Sequence, residues 1–472
     1  MHVIVIVLGD LGRSPRMQYH CSSLLEAGHY VTAIGYTGEG LIPTLNEQQN
    51  SDNTGQPSKN IQRLQVIRFN TPSLFRGSPF YFVWRLLSLT YYLSHALWFS
   101  VSKHPIDFIL VQNPPAIPLL GISYIFCHLI AFRQRGRRPG FIIDWHNLGY
   151  SMFRNGSVLQ RLTKMYESFM APLADGHLTV TKAMKEYLIM HLGVVTPNID
   201  VLYDCPPFMF KPMDVNEQHA ILSKLNPQLL TSCPKSWISE SNTLDERKTL
   251  FTEEQINKEG NKCVLHRPGR PALITSSTSW TPDEDFGLLL EALLTLDNKI
   301  KTDATDARLR VLVVVTGKGP ERSTYEVRIS QLKLEFVAIA TLWLEASDYP
   351  KLLACADVGV SLHTSTSGLD LPMKILDLFG CEVPVLAHDF TCLNELVKDR
   401  VNGRIFSTSN ELANLMYTSL QPLQLHGMIP VPNHSFGELQ TYSEQLQGRT
   451  RWHTNWIDHA LPVIMLATPK SK

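Results

Sequence analysis

Lys374 and Asp377 lie three residues apart in the run HTSTSGLDLPMKILDLFGCEVPV, residues 363–385. The run reads as a strand end, a turn opened by Gly368, and a helix with Pro372 near its first turn. On a helix that spacing puts the cation and the carboxylate on one face. The N–H groups and partial positive charge of a helix N-terminus suit a phosphate. A lysine and an aspartate beside that end can hold a diphosphate and a ribose diol together, which is the equipment for an activated nucleotide. Leu369 and Asp370 fall in the same loop.

Four other segments carry groups of this kind. SSTSWTPDEDF (276–286) offers the hydroxyls and N–H groups of Ser279 and Thr281 to a diphosphate and Trp280 as a stacking surface for a base or sugar. Its acidic residues Asp283, Glu284 and Asp285 read as charges at a helix N-terminus. TGKGPERS (316–323) follows an apolar run, with Gly317 and Gly319 allowing close backbone approach and Lys318 available to a phosphate. GDLGRSPRMQYH (9–20) places Gly12, Arg13 and Arg16 where a second phosphate group could be met. FIIDWHN (141–147) ends a strand with His146, a candidate general base; Asp10, also at a strand end, competes for that role. No His, Cys, Asp and Glu spacing suggests a metal site.

These loops need strand ends to hold them. Apolar runs such as VIVIVL (3–8), YVTAIGY (30–36) and DFILVQ (107–112) alternate with helical stretches through residues 1–211, the pattern of a doubly wound parallel sheet. Residues 212–268 break the rhythm and read as a polar insertion and linker. Alternation resumes over 269–450, with 421–450 as a loop, and the helix of 451–472 is placed to return to the first domain. The stretch 46–60 reads as a disordered insertion. The fold class is therefore α/β, two Rossmann-like domains facing a central cleft, the GT-B glycosyltransferase architecture. Ligands in such sheets sit beyond the carboxyl ends of the strands. Lys+Arg and Asp+Glu both number 43, so overall charge points to no nucleic-acid partner. The eight cysteines form no CxxC pair and suggest a reducing compartment.

Two segments bear on membranes. FYFVWRLLSLTYYLSHALWFS (80–100) is apolar with a polar stripe including Arg85, Ser88, Tyr92 and His95, which suits an interface better than a crossing. AIPLLGISYIFCHLIAF (116–132) precedes RQRGRR (133–138), a basic cluster suited to anionic head groups or a lipid diphosphate. Each also reads as a helix covering a sheet. The N-terminal domain is expected to hold a lipid-borne acceptor.

Taken with VQNPPAIP (111–118), VTKAMKEYL (180–188), VLYDCPP (201–207) and the tail RWHTNW (451–456), these runs resemble the chitobiosyldiphosphodolichol β-mannosyltransferase family across nearly the whole chain. The resemblance implies a GT-B fold, GDP-mannose as donor and GlcNAc2-diphosphodolichol as acceptor. It implies inverting transfer that forms a β1,4 bond, at the cytosolic face of the endoplasmic reticulum membrane. No tightly bound cofactor is implied, though a divalent cation (Mg2+ or Mn2+) is expected to stimulate. Other dolichol-pathway mannosyltransferases are expected partners. Gly368, Leu369, Asp370, Lys374 and Asp377, with Ser279, Trp280, Thr281 and Gly317 to Gly319, would engage the donor. Gly12, Arg13 and Arg16 would lie near the acceptor diphosphate, and His146 or Asp10 would be the base. Three departures stand out. Many members begin with a transmembrane helix before the first strand, whereas here Met1 leads into it. Related retaining enzymes carry two glutamates eight apart where this chain has Leu369 and Asp377. Glu382 stands where related enzymes often have glycine. Other readings are a retaining α-mannosyltransferase of the same pathway and a non-catalytic scaffold.

Overall fold

The computed structural model describes residues 1–50, 63–70, 81–100, 104–238, 247–256, 260–281, 284–302, 309–420 and 437–467. The chain divides into two compact units, Met1–Asp204 with Trp452–Lys472, and Cys205–Arg451.

The first unit runs β1 (His2–Asp10), α1 (Pro15–Glu26), β2 (Tyr30–Tyr36), α2 (Pro43–Asn50), β3 (Leu64–Phe69), α3 (Tyr81–Ser100) and β4 (Phe108–Asn113). It continues through α4 (Leu119–Arg133), β5 (Gly140–Trp145), α5 (Val158–Met170), β6 (Gly176–Thr179), α6 (Lys182–His191) and β7 (Ile199–Val201). Its sheet is parallel, in the order β3-β2-β1-β4-β5-β6-β7. Strand order reverses between β1 and β4, so loops at their carboxyl ends diverge and leave room for a ligand. Val3 to Val7 are almost wholly buried, as a strand covered by helices on both faces requires.

The second unit begins with α7 (Val215–Ser232) and the hairpin β8 (Thr252–Ile256) and β9 (Lys262–His266). It then alternates β10 (Ala272–Ser277), α8 (Phe286–Thr302), β11 (Val311–Thr316), α9 (Arg322–Ser330), β12 (Val337–Leu342), α10 (Tyr349–Leu353) and β13 (Val358–Ser361). The remaining elements are α11 (Met373–Gly380), β14 (Val385–His388), β15 (Gly403–Phe406), α12 (Ser409–Leu420) and α13 (Gly437–Glu444). The parallel sheet is ordered β12-β11-β10-β13-β14-β15, the same topology as before, with its switch between β10 and β13. The last helix, α14 (Trp452–Ala467), belongs to the first unit, where Asn198 donates to the Val463 carbonyl at 3.0 Å.

Among the described residues of 212–268, a packed helix and a hairpin stand where a linker was expected. Asp214 caps α7 and Glu217 returns the bond in a capping box. Ile221, Leu222, Leu225 and Leu229 then bury one helix face in the second unit's core, beside Trp237, Leu250 and Phe251. Burial of each such leucine contributes about 1.5–3 kcal/mol. Residues 437–444 are helical rather than loop, as are 46–50 of the expected polar insertion; 51–60 and 421–436 lie outside the described residues. Glu382 follows α11 with φ +61°, a left-handed position that favours glycine.

The segment 116–132 supplies α4, whose Leu119, Leu120, Ser123, Phe126, Cys127 and Ile130 face inward. That pattern makes it a sheet-covering helix. Among the described residues no helix is long and apolar enough to cross a membrane. In the basic cluster, Arg137 pairs with Asp107 and Arg138 with Asp175, while Arg133 lies 5.4 Å from the Trp98 ring centroid.

Candidate active site

In the first unit the strand-end groups meet at Asp144, the next-to-last residue of β5, which has no exposed surface. Its carboxylate accepts two bonds from Arg16, through Nε and Nη2, each at 2.8 Å. His20 Nε2 lies 3.1 Å and His146 Nε2 2.8 Å from the same oxygen, Oδ2. The spacing of Arg16 and His20 turns both toward β5, because residues four apart share a helix face. Burial alone would raise the Asp144 carboxyl; the charge of Arg16 first, then the histidines, hold it well below the usual carboxylate range. An ionised Asp144 only accepts, so His146 donates through Nε2 and its lone pair rests on Nδ1. His146 keeps 22% of its side chain exposed. A histidine oriented by a buried carboxylate, with its other nitrogen able to accept a proton, is general-base equipment.

Asp10 is used differently. Its carboxylate accepts from the N–H groups of Gly12 at 3.0 Å and Glu39 at 3.1 Å, fixing the loop after β1. A Cβ on Gly12 would come within 2.5 Å of the Glu39 carbonyl oxygen, so only glycine lets these loops approach. Arg13 extends outward and pairs with Glu39 at 3.0 Å. Glu167, fully buried, accepts from Asn113, Gly149 and Tyr150 and pins the loop that follows His146.

In the second unit the organising carboxylate is Glu284. Its Oε2 accepts from the Thr278 hydroxyl and the Ser279 N–H, both at 2.6 Å, and its Oε1 pairs with Lys374. Lys374 also reaches the Ser279 hydroxyl at 3.3 Å. A backbone bridge joins Glu284 to His363. Loops after β10 and β13 and the start of α11 are therefore tied at one point. Gly317 and Gly319 complete it: a Cβ on either would sit 1.8 Å from the carbonyl oxygen of Thr278 or Ser279. Lys318 lies 3.7 Å from the Trp343 ring centroid.

Gly368, at φ +72°, donates its N–H to the Ser365 hydroxyl at 2.9 Å, and Leu369 donates to the Ser367 hydroxyl at 3.2 Å. Asp370 accepts from Ser365, and its Oδ2 is 3.6 Å from His363 Nε2. Burial would raise this carboxyl; the nearby His363 and the hydrogen bond from Ser365 outweigh it, and the net direction is downward. Asp377 moves the other way. Burial pushes it up to about 7, against the Tyr349 hydroxyl bond at 3.3 Å and the charge of Lys374. The arrangement presents a cation, hydroxyls and loop N–H groups to an anion, with a proton-sensitive carboxyl on the next helical turn.

Residues 270–421 match the family described as glycosyl transferases group 1. The chain is 37% identical to the Arabidopsis thaliana protein named UDP-glycosyltransferase TURAN, over 98% of this chain and 96% of that relative. It is 37% identical to the Mus musculus chitobiosyldiphosphodolichol beta-mannosyltransferase, over 98% of this chain and 89% of the relative. The chain belongs to the chitobiosyldiphosphodolichol β-mannosyltransferase family. It is a glycosyltransferase. Sucrose-phosphate synthase from Thermosynechococcus elongatus aligns over 97% of both chains with a TM-score of 0.60 at 12% identity, a likeness of GT-B fold.

In this family member the structure gathers Ser279, Gly317, Gly319 and Lys374 at one end of the second sheet, and it corrects several expectations. Trp280 is 1% exposed, packed on Phe286 and Tyr325, so its ring is core and offers no stacking face. Thr281 stays at the loop, its carbonyl accepting from the Glu284 N–H at 3.0 Å. Glu284 is no helix-end charge but a buried hub; Asp283 lies outside the described residues. Arg16 is 3% exposed and gives four of its five N–H groups to Asp144, Asp204 and the Leu202 carbonyl, so it is spent inside the unit rather than offered to an acceptor diphosphate. His20 and Trp456 were present in quoted runs without a role. Their signal was type alone, a histidine and a tryptophan far apart in sequence. Among the described residues no group of three or more His, Cys, Asp or Glu could hold a metal ion.

Proposed function

We propose that this glycosyltransferase moves mannose from GDP-mannose to GlcNAc2-diphosphodolichol with inversion, forming the β1,4 bond. The observation that carries the reading is the His146–Asp144 pair, 2.8 Å apart, with Asp144 held ionised. Inversion requires a single in-line displacement. His146 Nδ1 takes the proton of the acceptor 4-hydroxyl as that oxygen attacks the anomeric carbon. The bond from that carbon to the diphosphate breaks, and GDP leaves with the electron pair. Lys374 and the loop N–H groups around Ser279 meet the charge that develops on the leaving diphosphate. His146 is preferred to Asp10 as base because Asp10 already caps two backbone N–H groups. A divalent cation would act on the diphosphate from solution.

The acceptor's lipid tail places the reaction at a membrane, here the cytosolic face of the endoplasmic reticulum, beside other mannosyltransferases of the pathway. Trp84, Leu87, Tyr91 and Trp98 on α3, with Ile125, Leu129 and Phe132 on α4, are each more than half exposed, as an interfacial surface requires. The Arabidopsis relative's name specifies UDP, so the nucleotide is part of the test. The purified protein is incubated with labelled GDP-mannose or UDP-mannose and a GlcNAc2-diphosphate lipid, and the product is digested with β-mannosidase. Label transfer from the GDP sugar, released by the enzyme, is expected. A β-mannosidase-resistant product, or transfer from UDP-mannose alone, would sink the reading.

A further inference from the structure

The last helix of the chain reaches Asp144 through one histidine. Trp456, on α14 and fully buried, donates its indole N–H to His20 Nδ1 at 2.9 Å. Indole nitrogen is a donor only. His20 Nδ1 must therefore be the acceptor, and the ring's proton sits on Nε2, which donates to Asp144 at 3.1 Å. A second proton on His20 would set two N–H groups against each other at 2.9 Å. The ring is thus confined to one neutral tautomer.

We infer that Trp456 and His20 are positioning residues for His146: by keeping His20 neutral they leave the cluster around Asp144 one positive charge short of balance, which a proton on His146 supplies. The charge count supports this. The groups facing the cluster are Arg16 and His20 from α1, Asp144 and His146 from β5 and its following loop, and Asp204 after β7. Two carboxylates oppose one guanidinium, so the cluster carries a net negative charge until His146 is protonated. Burial, the largest cause, outweighs the pull of Asp144 and, with the charges of Arg16 and His146, keeps His20 below its ordinary proton affinity, in agreement with the geometry. Without the indole N–H, His20 could accept the second proton instead, Asp144 would be balanced, and His146 would lose its drive to take a proton from an acceptor hydroxyl. The role rests on His146 being the base of the proposed transfer.

The test compares Trp456→Phe, His20→Gln and His20→Leu in the full chain, each confirmed folded by its thermal transition. Gln can donate to Asp144 and accept from Trp456; Leu can do neither. The parent's kcat/KM should fall on the acid side as a one-proton limb. Trp456→Phe should steepen that limb toward two protons and lower kcat about 10-fold while donor KM moves less than about twofold. His20→Leu should lose about 100-fold in kcat and His20→Gln recover at least about tenfold of it. A parent-like limb and kcat in Trp456→Phe, or equal losses in both His20 variants, would overturn the inference. The imidazole nitrogen spectrum of the parent reads the tautomer independently of turnover. A proton on His20 Nδ1 would overturn the inference even in an active enzyme, whereas a parent that transfers no mannose but shows the expected tautomer indicts the functional reading alone.

Discussion

Each unit gathers its strand-end residues around a buried carboxylate, yet Asp144 and Glu284 keep different company. Asp144 faces an arginine with four of its five N–H groups engaged and only 3% of its surface exposed. Among the described residues, its one partner with substantial exposure is His146, at 22% of the side chain. Glu284 faces Lys374, a flexible cation with 28% of its side chain exposed. An arginine locked in a bidentate fork stays put, whereas a lysine can exchange a carboxylate for a phosphate. The first arrangement is fitted to move a proton without moving atoms. The second is fitted to receive an anion.

That contrast can be broken at either side. The largest effect is expected from Asp144→Asn. It leaves the buried guanidinium with Asp204 alone and removes the ionised partner of His146. Stability should fall by about 3–5 kcal/mol in denaturant unfolding, and transfer by about a thousandfold or more in steady-state kinetics. A folded variant that keeps a tenth of the parent's rate would remove proton transfer from the first unit. Next is Lys374→Ala, which should weaken GDP binding about 30-fold by calorimetry, close to 2 kcal/mol. Unchanged affinity would mean that Lys374 serves Glu284 and nothing else.

The smallest effect concerns pH. The carboxyl of Asp377 rises from 3.8 to about 7 in the folded chain, so the folded state binds that proton more tightly than the unfolded one. The stability this contributes is complete below about pH 3.8 and lost as pH rises through about 7. Asp377→Asn should therefore flatten the decline between those limits and stabilise the protein at pH 8 by roughly 2 kcal/mol. A variant whose pH dependence matches the parent's would show that Asp377 is solvated.

Much of this architecture was readable before any coordinates. Runs such as VIVIVL and VLVVV mark strands because only a parallel sheet covered on both faces wants uninterrupted β-branched residues. The glycines at 317 and 319 also announced close approach, although what approaches is the backbone of Thr278 and Ser279. Helix α7 was missed because its apolar residues, Ile221, Leu222, Leu225 and Leu229, are spaced among Asn, Gln, Ser and Lys. Read for composition the segment is polar; read at helical period it has one apolar face.

The side-chain roles divide along the same line. Loops that follow strands in an alternating chain must gather at one sheet end, so sequence order alone assembled Ser279, Gly317 and Lys374. Whether a given arginine is offered to a ligand or consumed inside depends on which carboxylates the fold brings to it. Arg13 and Arg16 look alike in the chain and are opposites in space, one exposed and one buried between Asp144 and Asp204. Order and periodicity decided the sheets and the loops; only folding, which sets residues 16, 20, 144 and 456 beside one another, decided where the charges are spent. The physical reason is that hydrogen-bond donors and acceptors are satisfied by neighbours in space, and those neighbours lie hundreds of residues apart.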